Sequence, residues 1–276
     1  MADNTGVILS PSNYAELFSA WDSYPEAVPF AGGTCILYNQ EKHLFDLPPE
    51  ILLLDNIDEM HRISRTKLFL EIGAMVKLSR IIDLGKIVPP VLVRCLNDIA
   101  VPQIRNMATI GGNICYPGRL LDCSAALRAL DAQFELRTAQ TSRWISAVRF
   151  FANADSIALN HQELLTRIRI PLDDWNYTAY KKFYGHFKPG RTIVFLVKTQ
   201  KNILSDIKII CKTNALLRNK DSEGILIGKM LPITRRIAAD FVLSWEEYLN
   251  GIHSLDEQSR QELVNFIEMN IFNLTE

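Results

Sequence analysis

Two glycine pairs constrain this chain more than any other feature of its sequence. Ala31-Gly-Gly-Thr34 continues the apolar run Val28-Pro-Phe-Ala31, and Thr109-Ile-Gly-Gly-Asn113 follows a loop from Ala100 to Asn106. Glycine has no Cβ, so the backbone there can reach positive φ and can be approached closely. Successive N–H groups in a tight turn form a concave donor set for phosphate oxygens, and a threonine beside each pair adds a hydroxyl. Either pair alone also reads as an ordinary turn. Together they read as two loops able to grip a pyrophosphate from two sides. Neither pair is a G-x-G-x-x-G fingerprint, and no G-x-x-x-x-G-K-[ST] loop occurs, so neither the doubly wound dinucleotide fold nor a P-loop is indicated.

The apolar pattern around these loops mixes helix and strand. Tyr14, Leu17, Phe18 and Trp21 recur at helical spacing, and Ser10-Pro11 supplies a capping hydroxyl with a proline at the first helical position. Ile51 to Leu54 predicts a buried strand, and Leu68, Leu70 and Ile72 alternate as another. Val88-Pro-Pro-Val91 opens a helix carrying Leu92, Cys95, Leu96 and Ile99 on one side. Ser124 to Leu130 reads as helix, and Phe134 with Leu136, then Leu165, Ile168 and Ile170, as half-buried strands. Pro171 to Trp175 marks a boundary. Beyond it, Tyr177–Tyr184, Thr192–Val197 and Ile203–Cys211 predict a small antiparallel meander. Thr213 to Glu223 reads as a mobile polar loop, and two helices follow over Arg235–Leu249, capped by Gly251, and Asp256–Phe272. Without a regular βαβ repeat, the fold class is α+β.

Composition closes off several alternatives. The 276 residues allow one large or two modest domains. Thirty Lys+Arg against 31 Asp+Glu give a net charge of -1, too balanced for a whole-chain grip on nucleic acid or an anionic membrane. Five cysteines without a C-x-x-C pair argue against a disulfide framework and a zinc site, and for a reducing cytoplasm. The first residues do not read as a signal peptide, and no apolar run approaches the ~20 residues that cross a bilayer. None of His43, His61, His161, His186 and His253 pairs with another at i, i+4, and no G-x-S-x-G elbow is present.

Four segments carry a family resemblance. They are Phe30-Ala-Gly-Gly-Thr-Cys-Ile-Leu37, Leu70-Glu-Ile-Gly-Ala74 with Leu78, Gln103-Ile-Arg-Asn-Met-Ala-Thr-Ile-Gly-Gly-Asn-Ile114, and Glu163-Leu-Leu-Thr-Arg-Ile-Arg-Ile-Pro171. In order and spacing the chain resembles the FAD-binding (medium) subunit of the molybdenum hydroxylases, the xanthine dehydrogenase-like and carbon monoxide dehydrogenase-like flavoproteins. The likeness runs from about Tyr14 to Pro171 and thins beyond it. It implies a two-subdomain, PCMH-type FAD-binding domain over 1–172, with subdomains of about 1–57 and 58–172. A C-terminal flavoprotein domain over 173–276, with a three-stranded antiparallel sheet and helices, would follow.

The resemblance also implies a site. Phe30, Ala31, Gly32, Gly33, Thr34, Cys35 and Ile36 would form the first FAD segment, on the pyrophosphate and isoalloxazine side. Ala108, Thr109, Gly111, Gly112 and Asn113 would form the second phosphate loop. Ala100 and Ile104 would sit near the adenosine half. Asp122 would help hold the cofactor, Leu165 would pack on the flavin or adenine, and Lys182 would reach the flavin. No residue of this chain would act on the organic substrate. The implied role is electron transfer, from iron–sulfur clusters of a partner subunit through FAD to NAD or another acceptor. The 2Fe-2S clusters and molybdenum cofactor would belong to partner chains, the latter to a molybdopterin-binding large subunit.

Other readings stand beside these. Asp122 also reads as a cap residue before Ser124, Leu165 as a core strand residue, and Lys182, next to Lys181, as part of a solvated face. Cys35 stands where the family often has a polar or acidic residue, and Tyr116-Pro-Gly-Arg119 replaces a small, polar stretch. Tyr184, Gly185, His186 and Phe187 stand where paired arginines with an acidic residue are expected, which puts NAD in question. The alternative function is a scaffold or assembly subunit of the same fold that has lost FAD.

Overall fold

In the computed structural model, which describes residues 6–38, 47–117, 120–152, 157–184 and 190–275, the described strands form three sheets. The first is parallel. Strand β1 (Val7–Leu9) precedes helix α1 (Tyr14–Ser23), β2 (Val28–Phe30), helix α2 (Thr34–Tyr38) and β3 (Glu50–Leu53), and the strands lie in the order β1-β3-β2. Asn13, not Ser10, caps α1: its side chain accepts from the Glu16 amide, and Glu16 accepts from the Ser12 amide. Glu16 also accepts from the Asn13 side-chain amide, and this cap stands three residues downstream of the Ser-Pro signal. Ser10 instead accepts a hydrogen bond from Asn56. Leu17, Phe18 and Trp21 are buried as the spacing predicts.

The second sheet is antiparallel and begins with β4 (Ile63–Arg65) and β5 (Phe69–Gly73). A helical stretch follows: α3 (Leu78–Asp83), α4 (Pro90–Asn97), α5 (Pro102–Arg105), α6 (Ile110–Ile114) and α7 (Cys123–Ala129). Then come β6 (Gln133–Arg137), β7 (Ser142–Ser146), α8 (Ala147–Phe150) and β8 (Leu164–Pro171), giving the order β4-β5-β8-β6-β7. Leu68 falls outside β5 and is exposed, because the strand starts one residue later. Strand β6 is more deeply buried than expected, since Glu135 is buried with its carboxylate on Arg167 and Thr166.

The third sheet holds β9 (Tyr177–Phe183), β10 (Arg191–Gln200), β11 (Ile203–Lys212) and the two-residue β12 (Leu216–Leu217), in the order β12-β11-β10-β9. The predicted meander is its core. The segment read as a mobile loop instead contains β12 and the start of helix α9 (Lys220–Leu226), capped by Asn219. Arg218 and the Ile209 amide hold the buried Glu223 carboxylate, which makes a polar stretch compatible with packing. Helices α10 (Arg235–Asn250) and α11 (Glu257–Phe272) carry caps at Thr234 and Asp256. Gly251 does end α10, but at φ -72 it needs no glycine-specific conformation.

Strand β10 is apolar on both faces. Ile193, Phe195 and Val197 enter a core with α10 and α11, whereas Val194 and Leu196 enter the large core that holds α4, α7 and the second sheet. A strand covered on both sides reads as a continuous apolar run, which is how Thr192 to Val197 reads.

Candidate functional site

A cleft of about 1880 Å³ runs between the first sheet, the helices α5 and α6, the residues just before α7 and the end of β9. The first glycine loop forms one wall. Gly33 has φ +67, and a Cβ there would lie 2.6 Å from the Phe30 ring. Gly32 faces the other way, and a Cβ on it would collide with the Met107 carbonyl. The first loop therefore needs its glycines partly to pack on the second, a constraint that pairwise spacing does not reveal. Among the described residues, the amides of Gly32, Gly33 and Thr34 have no protein acceptor. Three donors in a row on one cleft wall suit an anionic group.

The second loop differs from the expected tight turn. Gly111 and Gly112 lie in the first turn of α6, capped by the Thr109 hydroxyl, which accepts from the Gly112 amide at 3.0 Å. The Ile110 amide donates to Val76, that of Gly111 to Ala74 and that of Asn113 to Thr109. All four amides are thus used inside the protein, which overturns the idea of a second donor nest here. Gly111 is needed because a Cβ would sit 2.7 Å from that of Ala74. The Asn113 side chain accepts from the Cys123 amide, tying α6 to α7. This loop supplies shape rather than N–H groups.

Ala100 stands at φ 46, left-handed for a residue with a Cβ. One guanidinium nitrogen of Arg105 donates to the carbonyls of Asn97, Ile99 and Ala100, at 3.1, 2.8 and 2.8 Å, and holds that turn. Ile104 and Val101 then expose apolar side chains to the cleft, beside Met107.

Asp122 and Lys182 meet each other. Lys182 Nζ donates to Asp122 Oδ2 at 2.6 Å and to the Asp98 carbonyl at 3.0 Å. Lys212 Nζ donates to Asp122 Oδ1 at 3.1 Å and to the Gly190 carbonyl at 2.7 Å. Burial alone would raise the Asp122 carboxyl, but the two lysines outweigh it and hold it below its usual value. Asp122 precedes α7 without making a side-chain cap, and Lys182 is no solvated surface residue, with 12% of its side chain exposed.

Leu165 is both a core and a cleft residue. It is buried, yet it lines the cleft with Leu164. A bulge between β6 and β8 pairs Glu135 with Arg167 but Leu136 with Leu165. The extra residue, Thr166, reverses the alternation and puts Leu165 on the same side as Ile168 and Ile170. Among the predicted residues, all but Phe30 line this one cleft, and Phe30 backs Gly33. Residues missed by sequence reasoning include Trp21, Met107, His161 and Gln162, which line it too. Gln162 anchors its loop by donating to the Trp21 carbonyl. Lys212 was also missed, although a lysine closing the apolar run of β11 is itself a signal of a buried charge. In the atypical segment, Tyr116 and Pro117 line the cleft, and Gly118 and Arg119 lie outside the described residues. Tyr184 stands exposed with Lys182 5.2 Å above its ring, and Gly185, His186 and Phe187 also lie outside the described residues. Desolvation pushes the Cys115 thiol up to about 12, so it offers no thiolate to the cleft at neutral pH. Among the described residues no group of His, Cys, Asp and Glu could hold a metal ion, and no helix is long and apolar enough to cross a membrane.

Open amides and a lysine on the walls suit phosphate or another anion. The exposed apolar side chains of Val101, Met107 and Tyr184 suit flat rings, so the cleft fits a large nucleotide cofactor. The domain family described as the FAD binding domain in molybdopterin dehydrogenase matches residues 3–173. The glyceraldehyde dehydrogenase medium chain of Sulfolobus acidocaldarius is 29% identical over 253 residues, spanning 88% of this chain and 89% of that one. The carbon monoxide dehydrogenase medium chain of Hydrogenophaga pseudoflava is 30% identical over 215 residues, spanning 74% and 73%. Quinoline 2-oxidoreductase from Pseudomonas putida 86 shares the fold, with a TM-score of 0.80 at 20% identity over 98% of this chain and 95% of that chain. The domain match covers both glycine loops, Asp122 and Leu165, and the chain belongs to the family of FAD-binding domains of molybdopterin dehydrogenases.

Proposed function

We propose that this chain is the FAD-binding electron-transfer subunit of a cytoplasmic molybdenum hydroxylase complex. An iron–sulfur subunit would deliver electrons, a molybdopterin-binding large subunit would act on the organic substrate, and NAD or another acceptor would take the electrons away. FAD, when bound, supplies an exchange between one- and two-electron transfer. The residues of this chain bind and orient it. Gly32, Gly33 and Thr34 offer open amides to the pyrophosphate, with Ala31, Cys35 and Ile36 continuing that wall. Ala108, Thr109, Gly111, Gly112 and Asn113 shape the opposite wall, and Ala100 and Ile104 flank the adenosine half. Leu165 packs against a ring face, while Asp122 and Lys182 stand at the flavin end. The division into 1–172 and 173–276 belongs to the same proposal.

One observation carries the reading: residues from four separated segments converge on a single cleft, and three of its lining residues, Gly32, Gly33 and Thr34, have amides with no protein acceptor among the described residues. Titrating the purified full chain with FAD, followed by flavin fluorescence, tests it. Saturable uptake is expected, and Thr34→Asp should weaken it at least tenfold, because a carboxylate beside the open amides repels phosphate. A chain that takes up no FAD would instead favour the scaffold reading, which the internally satisfied amides of the second loop motivate.

A further inference from the structure

We infer that Lys212, a residue outside the cleft lining, is a positioning residue that gives the flavin end of the cleft a net positive charge. The inference rests on the FAD reading above. In the register of the third sheet, Lys182 pairs with Thr192, and Thr192 pairs with Lys212. The two lysines therefore stand in one row, two strands apart, or about 10 Å between backbones. Asp122 reaches down from the start of α7 and joins them, one carboxylate oxygen to each. Thr192, small and fully buried, leaves room between them.

Among the described residues of this cluster the charges do not cancel. Asp122 with Lys182 alone would be a neutral pair. Lys212 adds a second cation, and only 4% of its side chain is exposed. Its other partner is the neutral Gly190 carbonyl. Asp98, just past the end of α4, meets Lys182 through its backbone carbonyl, and among the described residues its carboxylate forms no ion pair with either lysine. A poorly hydrated excess charge is costly unless something compensates it. Lys182 and Gly190 line the cleft, so an occupant that becomes negative there compensates it. Reduction adds electrons, and with them negative charge, to the isoalloxazine ring. Lys212, acting through Asp122 and Lys182, thus stabilises reduced FAD over oxidised FAD.

The test is the midpoint potential of FAD bound to the full chain, measured by spectroelectrochemistry, with FAD affinity measured in parallel. Lys212→Met should weaken the reduced form tenfold relative to the oxidised form, a shift of about 30 mV to more negative potential for a two-electron couple. Lys212→Arg should retain the wild-type potential. Lys212→Gln keeps hydrogen-bond donation without charge, and it carries the test if the methionine variant does not fold. An unshifted potential in the neutral variants overturns the inference. Equal weakening of both oxidation states does so too, since it would mark a phosphate contact or a purely structural role. Absence of FAD binding in the wild-type chain would overturn the underlying reading, whereas a bound flavin with an unmoved potential sinks only the role of Lys212.

Discussion

Ala100 and Arg105 show how a single contact can shape the cleft. A left-handed residue with a Cβ costs roughly 1–2 kcal/mol, and the Arg105 guanidinium bonds to the carbonyls around it offset that cost. Arg105→Met should release the turn and weaken FAD binding about tenfold, or about 1.4 kcal/mol. Ala100→Gly in the same background should restore most of the loss, because glycine takes that conformation without penalty. Fluorescence titration of the three proteins decides it; wild-type affinity in Arg105→Met refutes the link. Asp122 makes a second prediction. Its carboxyl titrates below the ordinary value, so its contribution to stability is complete above about pH 4 and is lost as pH falls through the folded value. Asp122→Asn should lower stability by about 3–5 kcal/mol at neutral pH and flatten the loss in acid, read from urea unfolding across pH. Asp122 lies in none of the four quoted segments and is singled out only by its distance from the second one, and the partner that fixes it, Lys212, lies in the segment where the resemblance had faded. The bond between them depends on β-register, which spacing does not encode.

At the scale of elements, the glycine loops were legible as two neighbouring segments, which the structure brings to one cleft, but not in their mechanics. On spacing alone a Gly-Gly pair reads as a turn, either an ordinary one or one that offers N–H groups to phosphate. The structure uses Gly32 and Gly111 to bring the chain against Met107 and Ala74, and it occupies the amides of α6 internally. Gly32→Ala should therefore overpack the contact between the two loops, costing about 1–3 kcal/mol in stability and most of the FAD affinity. Gly224, inside α9 with open space at its Cβ position, is the contrast. Gly224→Ala should stabilise the chain by about 0.5–1 kcal/mol, the usual gain for a helix interior, and leave FAD affinity unchanged. Thermal unfolding with and without FAD separates the two outcomes. Strand β8 shows the same limit. Leu165, Ile168 and Ile170 look like one alternating face, yet a spacing of three breaks period two, and only the bulge at Thr166 restores the phase. The odd spacing was visible in the sequence; its resolution needs the partner strand.

The whole molecule turns on the third sheet. A boundary at Pro171 to Trp175 is easy to read from composition, and the strands beyond it form their own sheet. Packing nevertheless crosses that boundary. Val194, Leu196, Ile210 and Leu216 belong to the core of the preceding residues, Arg94 donates to the Thr178 carbonyl and Arg128 to that of Leu216. At roughly 1.5–3 kcal/mol for each large apolar side chain buried, those four residues are worth more than many chains have in net stability. The two parts should therefore unfold together. Leu196→Ala, which faces the first core, and Phe195→Ala, which faces the second, should each remove about 2–5 kcal/mol from one shared transition. Calorimetry checks this: two separable transitions, each moved by only one of the substitutions, would refute the shared sheet. A chain ending at residue 172 should expose the α4 and α7 surface that the sheet covers. It should bind an apolar dye such as ANS, and FAD should not protect it as it protects the full chain, since Lys182 and Lys212 leave with the sheet. Equal protection by FAD would place the whole of the binding energy before residue 173 and reduce the third sheet to packing.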